Sequence, residues 1–171
     1  RCRGRSPARA RERTRRTAPL GGRELSRPRV VFMGTPDFAV PSLRAVAREC
    51  EVAAVVTQPD RPRGRGQKTA PSAVAAEAAA TLEAPVMKPD GLKAPGTKQS
   101  LEALRADLFA VVACGEILSP ELLRVPRLGC INLHGALLPR YRGAAPVQRA
   151  LWDGCAGTGV TAMWMDEGIG T

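Results

Sequence analysis

The segment Val30-Val31-Phe32-Met33-Gly34 decides the fold class of this 171-residue chain. Its four apolar residues form a run too short for a buried helix, and Gly34 closes it, which predicts a strand buried on both faces of a sheet. An Ala-, Leu- and Arg-containing segment at helical spacing follows over residues 39–48, and a second apolar strand is predicted over 52–56. Two buried strands joined by a helix indicate a βαβ unit with parallel strands.

The same alternation of short apolar runs and helical segments continues along the chain. Further helices are predicted over residues 71–80 and 100–105, from Ser119 onward, and over 145–152; further strands are predicted over 86–87, 108–112, 130–133 and 160–165. We therefore expect an α/β fold with an open, mainly parallel, Rossmann-like sheet and helices on both faces. Ligands of such folds bind beyond the carboxyl ends of the strands.

A candidate catalytic pair lies in the stretch Ile131–Gly143, at the carboxyl end of one predicted strand. His134 is the single histidine of the chain, and Asn132 precedes it by two positions. Side chains at positions i and i+2 of a strand share a face. An amide donor can hold a developing oxyanion while an imidazole moves a proton, which is what an acyl-type transfer requires. The alternative is a polar pair at a strand end that performs no chemistry.

A second feature is the basic loop over residues 58–68, rich in Pro and Gly, for which we predict no regular structure. Four basic residues lie within eight positions: Arg61, Arg63, Arg65 and Lys68. Such a loop suits contact with phosphates, and the alternative is an ordinary solvated loop. Residues 66–69 lack the spacing of a P-loop, so nucleotide binding is not supported.

The first 29 residues carry +9 of the formal net charge of +10, because they contain eleven Arg and two acidic residues. The remainder has 15 basic and 14 acidic residues, so any nucleic-acid contact must rest on local clusters. We expect residues 1–28 to be a disordered Arg-rich extension. It is a basic RNA-contacting tail, an organellar transit peptide, or an artefact of translation upstream of the true start, and the third is favoured.

Five widely spaced cysteines without a CxxC pair predict reduced thiols rather than disulfides or zinc ligands. No apolar run approaches the length of a membrane span. These features predict a soluble, cytoplasmic protein without a metal site.

Three stretches together carry a family resemblance: Gly34-Thr35-Pro36-Asp37-Phe38-Ala39-Val40-Pro41-Ser42-Leu43, the loop over 58–66, and the segment from Asn132 to Gln148. Residues 29–171 resemble methionyl-tRNA formyltransferase of the bacterial type. The Asn-x-His and Leu-Leu-Pro core alone would indicate only the wider group of folate-dependent formyltransferases, which includes the glycinamide ribonucleotide and sugar-amine enzymes. The basic loop narrows the resemblance to the tRNA enzyme.

The resemblance implies formyl transfer from 10-formyltetrahydrofolate to the α-amino group of methionyl initiator tRNA, in translation initiation. Asn132 and His134 would polarise the formyl carbonyl and hold the tetrahedral oxyanion, and His134 would also take the amine proton. The folate co-substrate would be lined by Ala136, Leu137, Leu138 and Pro139. Arg61, Arg63, Arg65 and Lys68 would meet the tRNA near its acceptor end. The family is typically monomeric and has no membrane partner.

Two departures from the family pattern qualify this expectation. The family carries a catalytic aspartate within Met-Asp-x-Gly-x-Asp-Thr-Gly, and here Gly170 occupies its place. We also expect residues 29–171 to be an incomplete, C-terminally truncated catalytic domain, with the tRNA-binding C-terminal domain absent. The alternatives are therefore another folate-dependent formyltransferase or formyl hydrolase, or an inactive remnant that binds folate or RNA.

Overall fold

A computed structural model describes residues 27–63 and 68–167 of the chain. Eight strands and five helices are described, with a short 3-10 turn at Asp37–Ala39 before the first helix. The strands are β1 (Arg29–Gly34), β2 (Glu51–Val56), β3 (Arg61–Arg63), β4 (Lys68–Ala70), β5 (Val86–Met87), β6 (Leu108–Val112), β7 (Cys130–His134) and β8 (Thr161–Trp164). The helices are α1 (Val40–Glu49), α2 (Ala73–Thr81), α3 (Thr97–Ala103), α4 (Pro120–Leu123) and α5 (Pro146–Trp152).

Six of these strands form one open sheet in the order β5-β2-β1-β6-β7-β8. All neighbouring pairs from β5 to β7 are parallel, and β8 pairs antiparallel with β7. The predicted mainly parallel sheet is thus confirmed. The chain moves outward from β1 to β2 and β5, then returns to the opposite side of β1 with β6. This reversal creates a topological switch point at the carboxyl ends of β1 and β6.

Helices cover both faces of the sheet, as predicted. On one face, Val30 and Phe32 of β1 pack in a core with Leu43 of α1 and Val74 of α2. On the other face, residues of β1 pack with residues of α3 and α4 in a second core, which includes Val31, Met33, Leu101 and Leu122. Successive β1 residues alternate between the two cores because side chains of a strand alternate between faces. The four residues Val30 to Met33 are each at most 1% exposed.

The prediction of no regular structure over residues 58–68 holds for 58–60 and is wrong for 61–63 and 68, while residues 64–67 lie outside the described part of the chain. Arg61–Arg63 and Lys68–Ala70 form an antiparallel two-stranded ribbon in which Pro62 lies opposite Thr69. A two-stranded ribbon consists of edge strands alone, and an edge strand accommodates a proline because one side of its backbone needs no partner. Helix α3 also begins at Thr97 rather than at the predicted Ser100.

A buried hydroxyl cluster joins the two ends of this ribbon to the main sheet. Thr57 follows β2 and Ser72 precedes α2, and their hydroxyl oxygens lie 2.7 Å apart. Both residues are nearly inaccessible, at 2% and 6% exposure. Ser72 Oγ also accepts a hydrogen bond of 3.0 Å from the amide of Ala75, so it caps the amino end of α2. The base of the ribbon is therefore held by buried polar contacts.

At the amino ends of the strands, the carboxylate of Asp107 connects β1 to β6. The backbone amide of Arg29 donates to the Asp107 carboxylate at 2.9 Å, and the Arg127 guanidinium donates to it at 2.8 Å. These hydrogen bonds favour the ionised form, so the pKa of Asp107 is lowered from its ordinary value of 3.8.

The four cysteines within the described residues are free thiols, in agreement with the prediction of reduced cysteines. Burial raises the pKa of Cys114 to about 11 and that of Cys130 to about 12, because a thiolate is poorly solvated inside the core. Across the described ranges, no helix is both long and apolar enough to cross a membrane.

Candidate active site

The candidate pair Asn132 and His134 lies at the carboxyl end of β7, next to the switch point. β7 is parallel to β6, and Asn132 lies opposite Val111 in that pairing. Cys130, two residues before Asn132, packs in the core beneath α3 and α4, whereas Leu133 packs on the other face. Asn132 and His134 therefore share the α3 and α4 face of the sheet, as their spacing predicted. Both side chains are half-buried.

Two glycines near the carboxyl ends of the strands lie where a side chain would not fit without a shift of its neighbours. A Cβ on Gly34, at the end of β1, would lie 2.8 Å from the Val112 carbonyl oxygen of β6, closer than any side chain tolerates. A Cβ on Gly135 would lie 3.2 Å from Val147 and 3.3 Å from Phe38. Glycine at position 135 therefore lets the chain pack closely against Phe38 and the start of α5.

The imidazole of His134 contacts the loop that follows it. Nε2 lies 2.8 Å from the carbonyl oxygen of Tyr141. A carbonyl oxygen can only accept, so Nε2 must carry the hydrogen, and in the neutral imidazole Nδ1 keeps its lone pair. The loop carbonyl thus selects one tautomer and leaves Nδ1 as the basic ring nitrogen.

Thr161 of β8 fastens the turn between His134 and Tyr141. It lies directly opposite His134 in the antiparallel pairing of β7 with β8. Its hydroxyl donates to the Ala136 carbonyl at 2.7 Å and accepts from the Leu138 amide at 3.2 Å. One side chain therefore satisfies two backbone groups of the turn, which is followed by a cis Leu138–Pro139 peptide bond.

The four residues predicted to line the folate site occupy this same turn. Ala136 is fully buried, Leu138 is half-buried, Leu137 is 58% exposed and Pro139 is exposed. The exposed pair presents apolar surface beside the His134 strand end. Ala136 does not present apolar surface in this way. Its methyl group is inaccessible, and its carbonyl accepts a hydrogen bond from the Thr161 hydroxyl.

Three of the four predicted basic residues belong to the strands of the ribbon, at a distance from the Asn132 and His134 pair. Arg61 and Arg63 belong to β3, and Lys68 of β4 lies opposite Arg63. The ribbon follows β2, which is separated from β7 by three strand spacings, roughly 14 Å at the usual distance between neighbouring strands. Both features lie at the carboxyl edge of the sheet. Arg65 and Gly170 lie outside the described residues.

Sequence reasoning missed three residues around His134: Thr161, Tyr141 and Cys155. Each is remote in sequence from at least one of its contacts, and their types are common in any domain. A strand was predicted over 160–165, but its antiparallel pairing with β7 was not, so the position of Thr161 opposite His134 had no sequence signal. Over residues 27–63 and 68–167, no cluster of His, Cys, Asp and Glu is arranged to hold a metal ion.

A family model described as formyl transferase matches residues 28–171, so the chain belongs to the formyl transferase family.

Within this family, the chain is similar to curated relatives of one name. The chain is 54% identical over 146 residues to a methionyl-tRNA formyltransferase of Cyanothece sp., a match that covers 84% of this chain and 43% of that protein. It is 56% identical over 138 residues to the methionyl-tRNA formyltransferase of Moorella thermoacetica, covering 80% of this chain and 44% of that one. The resemblance found in the sequence motifs is confirmed. The chain spans less than half the length of these relatives.

Solved structures share the fold. Glycinamide ribonucleotide transformylase 1 from Geobacillus kaustophilus superposes with a TM-score of 0.62 at 23% identity, covering 85% of this chain and 78% of that one. Phosphoribosylglycinamide formyltransferase from Bacillus halodurans gives 0.61 at 23% identity, covering 82% and 73%. A formyltetrahydrofolate deformylase from Pseudomonas putida gives 0.55 at 28% identity, covering 88% and 51%.

Proposed function

We propose that this chain carries the formyl-transfer site of a methionyl-tRNA formyltransferase. The reaction would move a formyl group from 10-formyltetrahydrofolate to the α-amino group of methionine on initiator tRNA, in translation initiation. The observation that carries the proposal is the pair Asn132 and His134 at the carboxyl end of β7, in a chain 53–56% identical to relatives of that name. The protein would act in the cytoplasm as a monomer.

The proposed chemistry uses the donor amide of Asn132 and the ring nitrogen of His134 that does not contact Tyr141. The amine nitrogen would attack the formyl carbon to give a tetrahedral intermediate. The bond between that carbon and the folate nitrogen would then break, and the leaving nitrogen would take up the proton that the amine has lost. The Asn132 amide would donate to the oxyanion of that intermediate. His134 has its Nε2 hydrogen directed to Tyr141, so its Nδ1 lone pair is suited to take the proton lost by the amine.

The surrounding residues suit the two substrates. Leu137 and Pro139 would contact the folate, while Thr161 keeps their turn in place beside His134. Arg61, Arg63, Arg65 and Lys68 would meet tRNA phosphates, which predicts an affinity that falls as salt rises. The ribbon follows β2 and the His134 strand end closes β7, and both lie at the carboxyl ends of parallel strands, where one tRNA acceptor end would contact both.

The test joins residues 28–171 to the remaining part of the Moorella thermoacetica relative, since the chain spans 44% of that protein. We compare this chimaera with Gly170 and with Gly170→Asp, because the family's catalytic aspartate stands at that position. The Gly170→Asp form should formylate methionyl-tRNA, and His134→Ala in that form should abolish transfer. Absence of transfer by a folded Gly170→Asp chimaera that binds tRNA would refute the proposal.

The same assay separates the alternatives. Formate release from 10-formyltetrahydrofolate without tRNA would indicate a formyl hydrolase, and transfer to another amine would indicate a different formyltransferase. Salt-dependent tRNA binding with no turnover in either form would indicate a binding remnant.

A further inference from the structure

The loop carbonyl that contacts His134 belongs to a residue in a disfavoured backbone conformation. Tyr141 has φ +57°, in the left-handed region that a residue with a Cβ rarely adopts. The backbone alone does not favour this conformation, so other contacts must stabilise it. The Tyr141 side chain makes those contacts.

The phenol of Tyr141 is held from two sides. Arg140 Nη2 donates to Tyr141 Oη at 3.0 Å, and its guanidinium carbon lies 5.0 Å from the ring centroid. A guanidinium can only donate, so the phenol hydrogen remains available for the sulfur of Cys155, which lies 2.9 Å away. The hydrogen bond to Cys155, followed by burial and by Asp153, raises the pKa of Tyr141 to about 12, so the phenol stays protonated at neutral pH.

Cys155 is itself anchored to a helix. Its backbone amide donates at 3.0 Å to the carbonyl of Ala150, which is a buried residue of α5. A continuous set of contacts therefore runs from α5 through Cys155 and the Tyr141 phenol to the Tyr141 carbonyl and His134 Nε2.

We propose that the hydrogen bond between Tyr141 and Cys155 is a positioning device for His134. It holds segment 139–143 so that the Tyr141 carbonyl accepts from Nε2, which selects the Nε2–H tautomer of the neutral imidazole. Tyr141 and Cys155 act through His134 and contact no reacting atom. The inference rests on the proposed function insofar as His134 is the group that takes the amine proton.

The test uses the tautomer of the imidazole, which can be measured without substrates. Because the chain has one histidine, the 15N chemical shifts of its ring nitrogens report on His134 alone. We compare the 171-residue chain with Tyr141→Phe and Cys155→Val, which remove the phenol-to-thiol bond, and with Cys155→Ser, which retains a hydrogen-bonding group. Cys50→Val is the matched control, because Cys50 is a half-exposed thiol at the end of α1.

The unsubstituted chain should show the Nε2–H tautomer. One ordinary hydrogen bond biases the tautomer ratio by roughly fivefold, so Tyr141→Phe and Cys155→Val should reduce that ratio by about this factor. Cys155→Ser and Cys50→Val should leave it near its original value.

A dominant Nδ1–H tautomer in the unsubstituted chain would overturn the proposal, as would an unchanged ratio in Cys155→Val. If Tyr141→Phe fails to fold, the difference in tautomer ratio between Cys155→Val and Cys155→Ser tests the proposal by itself. The readout needs neither folate nor tRNA. A tautomer shift in a protein that transfers no formyl group would therefore leave the positioning role intact while the proposed function fails.

Discussion

Replacing Thr161 by Val should loosen the turn beside His134 while leaving the sheet intact. Valine has nearly the same shape as threonine and is equally suited to a strand, so β8 keeps its packing. The substitution removes the donor to the Ala136 carbonyl at 2.7 Å and the acceptor for the Leu138 amide at 3.2 Å. At about 0.5–1.5 kcal/mol for each hydrogen bond, the loss is roughly 1–3 kcal/mol. Because Thr161 is half-buried and water can replace part of these bonds, we expect the lower half of that range.

Two measurements check this expectation. Urea unfolding should show a lower free energy of unfolding for Thr161→Val with an unchanged denaturant slope. Hydrogen exchange at the Leu138 amide should accelerate by roughly fivefold for each 1 kcal/mol lost locally. Thr161→Ser, which keeps the hydroxyl, should retain most of the protection.

Thr81→Val is the matched control for removal of a threonine hydroxyl. Thr81 is exposed and its hydroxyl donates to the Glu77 carbonyl within α2 at 2.8 Å, so loss of that hydroxyl should change stability by less than about 0.5 kcal/mol. Equal stabilities of Thr161→Val and Thr81→Val, together with unchanged exchange at Leu138, would refute the role assigned to the Thr161 hydroxyl.

Three further predictions concern the rest of the fold. Ser72→Ala should destabilise the protein by about 1–2 kcal/mol in urea unfolding, because it removes the α2 cap and leaves the buried Thr57 hydroxyl without that partner. The contribution of Asp107 to stability should be present above about pH 3.8, its ordinary pKa, and be lost as the pH drops through its lowered pKa. Asp107→Asn should remove this part of the acid decline in pH-dependent unfolding, and an unchanged decline would contradict the assignment. At pH 8, Cys114 and Cys130 should resist iodoacetamide in the folded chain and react in denaturant, as peptide mass mapping would show; rapid native labelling would mean that the core opens there.

Most secondary structure was predictable because burial on both faces leaves a strong local pattern. β1 and β6 are short apolar runs, and the helices that follow the strands carry helical spacing and capping residues such as Ser72 and Ser119. The ribbon of β3 and β4 was missed because two-stranded edge structure needs no apolar pattern, and its polar residues are equally typical of a loop.

The candidate site was predictable only in part. The spacing of Asn132 and His134 determines that they share a face wherever the strand lies. The partners of His134 were not predictable, because Tyr141 reaches it through a backbone carbonyl and a left-handed φ, which residue type does not encode.

The sequence by itself determined the alternation of strands and helices, the placement of the Asn132 and His134 pair at a strand end, and the family resemblance, since all three reside in local patterns. The tertiary structure alone decided that β8 runs antiparallel to β7, so that Thr161 lies opposite His134. It also decided the imidazole tautomer and the contact between Tyr141 and Cys155. Such contacts depend on how distant segments pack against one another, and hydrogen bonds between them form only once the sheet and α5 have brought the groups within about 3 Å.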